Sequence, residues 1–201
     1  MTPQTDSDSL PILGLFRARG AYMQGHFRLT SGLHSSEYLQ SALVLQHPQL
    51  AEDLGRRLAA ELRRLAPGPV AIVVSPALGG LIIGHEVARA LGTRFVFMER
   101  DPSSKKMMLR RGFRVTPGET AVVVEDVITT GGSTYDVVEV LREAGAKVLA
   151  AGSIIDRSGG RADAGVPRVA LATITTATHH VEHCPWCAQG IPVVKPGSRP
   201  A

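Results

Sequence analysis

Glu125 and Asp126 are adjacent carboxylates at the end of an apolar run, and Val127-Ile128-Thr129-Thr130-Gly131-Gly132-Ser133 follows them. Like charges side by side repel, so acids placed beside a glycine- and hydroxyl-rich turn make sense when they hold hydroxyl groups. The turn offers the complementary site. Its glycines allow close backbone approach, and the helical pattern that follows, with Val137, Val138, Leu141 and Ala144 on one face, turns free N–H groups toward an anion. A ribose 5-phosphate carries both hydroxyls and an anion, so the stretch reads as a sugar-phosphate cradle. The Gly-Lys-Ser/Thr ending of a Walker-type loop and the dinucleotide Gly-x-Gly-x-x-Gly fingerprint are both absent. The plain alternative is an ordinary strand-turn-helix whose acids are solvated.

Three other stretches carry chemistry. Ser75-Pro76-Ala77-Leu78-Gly79-Gly80 closes one apolar run and opens a helical pattern, a turn suited to backbone contact with an anion. Arg100, Lys105, Lys106, Arg110, Arg111 and Arg114 make residues 100–114 strongly basic, and Asp101-Pro102-Ser103-Ser104 breaks regular structure there. A mobile basic loop suits a lid that closes over an anionic substrate, whereas the plain reading is a solvated hairpin tip. Arg157 follows another apolar run and offers a planar fork for a carboxylate, or else pairs at the surface with Asp156 or Asp163.

Cys184-Pro185-Trp186-Cys187 has thioredoxin-like spacing, with His179, His180 and His183 nearby. A redox dithiol needs a strand-to-helix setting, and here prolines and glycine follow. Zinc is a second reading, although tetrahedral sites draw on two separated ligand pairs. Reduced structural thiols are the expected state.

The elements that position these residues alternate. Strand-like runs cover 70–75, 94–98, 121–124, 148–155 and 169–174. Leu50, Leu54, Leu58, Leu62 and Leu65 line one helix face, and Ile83, Val87 and Leu91 line another. Such βαβ alternation predicts an α/β fold with a mostly parallel, twisted sheet flanked by helices. Glu125 and Asp126 are then expected at the carboxyl edge of that sheet, where open α/β folds bind ligands. Residues 20–45, and 177–201 with its four prolines, fall outside the alternation and read as irregular.

The 201 residues are expected to form a single domain over 9–201 behind a loose polar tail, Met1–Asp8, which lacks the layout of a signal peptide. Apolar residues make up 44% and charged residues 20%, a globular balance with no run long enough for a transmembrane helix. Cytoplasm is the expected location, and no membrane partner is expected. The net charge of +4 favours an anionic partner. Phe113 is the lone aromatic in the basic stretch, which argues for a polyphosphate and against nucleic acid.

Residues 123–133 resemble the phosphoribosyl pyrophosphate (PRPP) signature of the type I phosphoribosyltransferases. The resemblance spans roughly residues 10–195. It implies that Glu125 and Asp126 meet the ribose hydroxyls, that Thr129, Thr130, Gly131, Gly132 and Ser133 wrap the 5-phosphate with Val127 and Ile128 also in the PRPP-binding segment, and that Ala77, Leu78, Gly79 and Gly80 form the pyrophosphate loop, in which the family often has a non-proline cis peptide. Many relatives have a lysine where Gly79 stands, so another cation must meet the pyrophosphate here. Segments 20–45 and 177–201 are expected to pack as a small hood over the site.

Within that family the chain is most similar to the orotate phosphoribosyltransferases, in which Arg and Lys of a mobile loop reach into the partner subunit's site. Arg100 with Lys105 or Lys106 matches those roles, which implies a homodimer; the family's histidine and acidic, glycine-rich tip are missing from Met107 to Arg111. The matching Asp156-Arg157 implies that Arg157 grips the orotate carboxylate, with Thr129 and Tyr38 helping to hold the base. Gly25 to Gly32 resembles the family's N-terminal base-site segment, with Thr30 in place of the usual lysine. The implied reaction joins orotate and PRPP to give orotidine 5-phosphate and pyrophosphate, with Mg²⁺ bound through substrate oxygens and no direct protein ligands. Transfer to another base, or a non-catalytic PRPP-sensing regulator that binds nucleic acid, are the alternatives.

Overall fold

The computed structural model describes residues 6–29 and 31–196, with side chains from residue 11 onward. Thr30, residues 1–5 of the expected tail and the last five residues of the expected hood lie outside the described residues. Residues 6–8, read as tail, instead open helix α1 (Asp6–Ala18). Their small polar types are those favoured at a helix start, which is why composition alone could not separate the two.

The chain continues through β1 (Tyr22–Arg28), β2 (His34–Leu39), α2 (Ala42–Leu45), α3 (Pro48–Leu65), β3 (Ile72–Pro76), α4 (Gly80–Leu91), β4 (Arg94–Arg100), β5 (Met107–Leu109), β6 (Thr120–Ile128), α5 (Gly132–Glu143), β7 (Lys147–Asp156), β8 (Arg168–Thr173), β9 (Thr178–His179) and α6 (Pro185–Ala188). Six strands form the main sheet in the order β5-β4-β3-β6-β7-β8. All its pairs are parallel except β4 with β5. The sheet is therefore mostly parallel, as the alternating pattern requires.

Side chains on β6 alternate between the two faces. Val122 and Val124 pack with Leu54, Leu58 and Leu62 of α3 and Ile83 and Val87 of α4. Ala121 and Val123 pack with Val137, Val138 and Leu141 of α5. Each face is thus sealed by helices, so the central strands read as continuous apolar runs. Leu65, expected on the buried face of α3, is 38% exposed because it falls in the last turn, beyond the sheet.

A second, three-stranded antiparallel sheet has the order β1-β2-β9. Residues 20–45 are therefore a hairpin followed by a short helix, not an irregular stretch. A register shift between Gln24 and Phe27 interrupts the alternation that would have marked β1 as a strand. Val194 bridges Phe27 and exchanges backbone hydrogen bonds with Arg28 and His26, at 2.9 and 2.8 Å. The N-terminal hairpin and the C-terminal segment thus form one unit, the hood.

Candidate active site

Strand order reverses between β3 and β6: β4 lies on one side of β3, and β7 lies on the far side of β6. The crevice outside the carboxyl ends of such a pair is where open α/β sheets hold ligands. Pairing of β3 with β6 stops at Val74↔Val123, whereas β6 runs on beside β7 to Ile128. Glu125 and Asp126 consequently sit on the part of β6 that extends past β3. The loop after β3 and the turn after β6 flank them on either side.

The loop after β3 is anchored where the Ala77 N–H donates to the Met98 carbonyl at 2.8 Å. The Ala77–Leu78 peptide is cis, and Leu78 is 74% exposed. A Cβ built at Gly79 would lie 2.4 Å from Asp126 Oδ1, so this loop runs directly over the acidic pair. At Gly80 a Cβ would come within 3.0 Å of the Val124 carbonyl oxygen. No side chain fits at either position without movement. The space a lysine stem would need at residue 79 is filled by the Asp126 carboxylate.

Half-buried Glu125 accepts a hydrogen bond from Thr134 Oγ1 at 2.6 Å. Loss of water around its carboxyl, opposed by the Thr134 hydroxyl and reinforced by neighbouring Asp126, raises its pKa to about 7. Burial also raises the pKa of Asp126. Two acids held this way lack solvation that hydroxyl donors or a hard cation would restore. Their all-oxygen donor set fits a magnesium-bearing sugar phosphate.

Beyond Ile128 the turn carries Thr129 and Thr130, both exposed, and then Gly131 and Gly132. Gly131 has φ +90°, and a Cβ there would lie 2.1 Å from the Asp163 carbonyl oxygen, so only glycine makes this turn. Its carbonyl accepts the Tyr135 N–H at 2.8 Å and starts α5. Gly132, Ser133 and Thr134 thus stand in the first turn, where N–H groups have no helical acceptor. Among the residues assigned to the cradle, Ile128 is 1% exposed, so its side chain belongs to the core. Its carbonyl accepts the Arg157 N–H at 2.8 Å.

Arg157 emerges one residue past β7 and turns toward the hood. Its Nη2 lies 3.5 Å from Ser35 Oγ and 3.4 Å from the Glu37 carbonyl, both long contacts. Its Nε is buried without a hydrogen-bond partner. Neither surface pairing holds: Asp156 is taken by Arg168 and by Ser158, and Asp163 accepts from the Gly165 N–H. Burial lowers the Arg157 pKa, with Glu37 opposing. Tyr38 packs against Phe27 with ring centroids 5.9 Å apart, and its hydroxyl pKa is raised first by burial and then by Asp126. Tyr38, Arg157 and Asp126 therefore share one electrostatic neighbourhood.

Residues 100–109 form a hairpin, since β4 continues to Arg100 and pairs with β5. Asp101 Oδ1 accepts from the N–H groups of Ser103 and Ser104 and shapes the tip. Arg100 pairs with Asp136 of α5 at 2.7 Å and donates to the Lys105 carbonyl at 3.0 Å. The Lys105 backbone has φ +59°, and its ammonium donates to the Pro102 carbonyl at 2.6 Å. Lys106 is exposed, and its ammonium makes no hydrogen bond or ion pair among the described residues.

Sequence reasoning missed Thr134, Asp136 and Glu37. Thr134 follows the recognised motif by one residue, and only the helical turn brings it under Glu125. Glu37 accepts from Tyr22 and from Thr176, at 3.0 Å for the latter, which ties β1 and the segment before β9 to the strand that Arg157 touches.

An acidic pair and a glycine turn at the switch point of a parallel sheet, with a loop closing over the acids, define a phosphoribosyltransferase. The family model of the phosphoribosyl transferase domain matches residues 42–183. An orotate phosphoribosyltransferase of Pelotomaculum thermopropionicum is 53% identical over 188 residues, covering 94% of this chain and 96% of that protein. One from Thermotoga petrophila is 51% identical, covering 94% and 98%. The crystal structure of orotate phosphoribosyltransferase from Aeropyrum pernix has a TM-score of 0.65 at 29% identity, over 81% of this chain and 93% of that one. Adenine phosphoribosyltransferase from Trypanosoma brucei shares the fold at a TM-score of 0.61 and 19% identity, over 95% of this chain and 88% of that one. The chain belongs to the orotate phosphoribosyltransferase family.

Proposed function

We propose that the protein transfers the 5-phosphoribosyl group of PRPP to orotate, giving orotidine 5-phosphate and pyrophosphate, as a step in pyrimidine nucleotide synthesis. The observation that carries the choice of base is Arg157. It is a half-buried guanidinium that faces β2, with an unpartnered Nε and no carboxylate ion pair among the described residues. A carboxylate-bearing base supplies the missing acceptor. Purines lack it.

As the C1–O bond to pyrophosphate breaks and the C1–N bond to the base forms, C1 gains positive character. Positioning and charge stabilisation then dominate catalysis. Glu125 and Asp126 accept the ribose hydroxyls, and residues 129–133 hold the 5-phosphate through backbone N–H groups and the Thr and Ser hydroxyls. The 77–80 loop receives pyrophosphate. Thr129 and Tyr38 flank the base. Arg100 with Lys105 or Lys106 offsets charge on the leaving pyrophosphate, in a homodimer whose basic hairpin reaches the partner's site. The exposed Arg100–Asp136 pair is weak enough for a polyphosphate to displace. Glu125 and Asp126 would accommodate a Mg²⁺ carried in by the substrate, and that ion would supply charge neutralisation on the pyrophosphate.

Among the described residues no helix is long and apolar enough to cross a membrane, and we place the protein in the cytoplasm. The test is a base-preference assay with PRPP and Mg²⁺. Orotate should be consumed and pyrophosphate released, with adenine, guanine, hypoxanthine and uracil left unchanged. Turnover of a purine in place of orotate would reassign the base. Binding of RNA or DNA with no turnover of any base would favour the regulator.

A further inference from the structure

We propose that the hood carries a structural zinc ion held by His26, His34, Cys184 and Cys187. These side chains come from β1, from β2 and from the C-terminal segment around α6, and both cysteines are free thiols. Their ligand atoms all lie within 4.8 Å of one another. His26 Nε2 is 2.8 Å from His34 Nδ1, 3.4 Å from Cys184 Sγ and 3.7 Å from Cys187 Sγ. Cys187 Sγ is 3.3 Å from His34 Nδ1. A tetrahedron with zinc–sulfur bonds of about 2.3 Å and zinc–nitrogen bonds of about 2.0–2.1 Å has edges of roughly 3.3–3.8 Å. To meet it the two nitrogens, now 2.8 Å apart, part by about half an ångström, and the widest spacing, at most 4.8 Å, closes by about 1 Å or less.

The hydrogen bonding of His26 points the same way. Its Nδ1 is 2.8 Å from the Ile191 carbonyl, which can only accept, so Nδ1 carries the proton. Nε2 is left with one lone pair and faces His34 Nδ1 and both sulfurs at once. A single in-plane lone pair serves a central cation better than three neighbours spread around it. The Ile191 carbonyl is then the outer-shell acceptor that orients a ligating imidazole. Cys184, His26 and His34 are 2%, 4% and 5% exposed, so water cannot serve these groups instead.

Two thiols and two imidazoles in this arrangement select zinc over the oxygen-seeking Mg²⁺ of the reaction. Four protein ligands leave no open position, which makes the site structural. The histidines Cys-x-x-Cys needs are not His179, His180 or His183 but the pair on the β1–β2 hairpin, on the same face of adjacent antiparallel strands. The ion would fasten a β9 of only two residues, and the segment after it, onto β2, the strand that Arg157 touches.

The test uses the full chain, untagged and purified without chelator. After dialysis against excess Zn²⁺ and then metal-free buffer, elemental analysis should find one zinc per chain. Reconstitution with Co²⁺ should give the intense visible bands of a tetrahedral thiolate site. Chelation should lower the thermal midpoint of the wild type, and Cys184→Ser/Cys187→Ser should lose zinc by more than the 10- to 100-fold typical of an outer-shell change. If that variant does not fold, metal content and the cobalt spectrum of the wild type decide alone. Substoichiometric zinc, an octahedral cobalt spectrum, a folded double variant that keeps its zinc, or a metal-free Cys184–Cys187 disulfide found by mass would each overturn the assignment.

Discussion

Gly79 and Asp126 are in direct apposition: a Cβ at residue 79 would stand 2.4 Å from Asp126 Oδ1 and 2.8 Å from its Cγ. The two residues are far apart in sequence, yet each fixes what the other can be. Gly79→Ala forces the carboxylate aside while leaving backbone φ acceptable, because Gly79 has φ −56°. The penalty should therefore fall on ribose positioning and not on the fold. We expect kcat/KM for PRPP to fall by about 100-fold, the scale of small misplacements in a reacting complex, with little change in thermal midpoint. A loss of stability with normal kinetics in the folded fraction would contradict this.

Glu125 should release a proton when PRPP binds. Its carboxyl is held up to about 7 mainly by lost solvation, so near neutral pH it is partly protonated in the free enzyme. Ribose hydroxyls donate to the ionised form and draw its pKa down, which expels the proton. Calorimetry in buffers of different ionisation heat should detect net proton release near pH 7 that disappears in Glu125→Gln. The linkage to stability has the opposite sense from an ordinary salt-bridged acid. Its folded pKa is raised, so its contribution is fully present below the unfolded value near 4.5 and is lost as pH rises through about 7.

Arg157→Ala should weaken orotate binding to the PRPP-loaded enzyme by roughly 10- to 100-fold, since a hydrogen bond to a charged group is worth about 1.5–3 kcal/mol. PRPP affinity should change little, because Arg157 touches β2 and not the 129–133 turn. Arg157→Lys should restore part of the loss at most, for an ammonium keeps the charge without the fork. Orotate affinity measured by titration separates these outcomes, and an unchanged value would remove Arg157 from the base site.

Mixing subunits tests the reach of the hairpin. If its lysines act across a dimer interface, combining Lys105→Ala/Lys106→Ala chains with Asp126→Ala chains should rebuild one complete site per mixed dimer. Activity above either parent is the expected result, read after co-refolding or subunit exchange. Single Lys106→Ala should cost more than Lys105→Ala, since the Lys105 ammonium already bonds the Pro102 carbonyl while that of Lys106 is free among the described residues. Mixed dimers as inactive as their parents would confine the lysines to their own chain.

Most of the sheet was legible in the sequence because its central strands β3, β6 and β7 are buried on both faces, and such burial leaves an uninterrupted apolar run. The strand-turn-helix that carries the acidic pair was legible because its parts are contiguous from residue 123 to 133. What escaped reading depends on contacts across the fold. Nothing near residue 79 announces that Asp126 fills the space above it, and nothing near Cys184 points to His26 and His34. The β1 strand was hidden by its register shift, and β5 by a basic composition suited equally to a loop. Thr134 lay one step outside the recognised motif, where only helical geometry discloses its role.

The stitching of Val194 to the first hairpin also implies an expected order of assembly. His26 and Ile191 are 165 positions apart in the chain, whereas β6 meets β7 through a single intervening helix. Contacts of long sequence separation form late, because the entropy of closing the chain must be met before they contribute. During folding the sheet and its phosphate turn can therefore take shape while the first hairpin still waits for the last part of the chain. Under the proposed roles, such an intermediate would present the phosphate turn before β2 reaches Arg157, so base selection is expected to be established after phosphate binding.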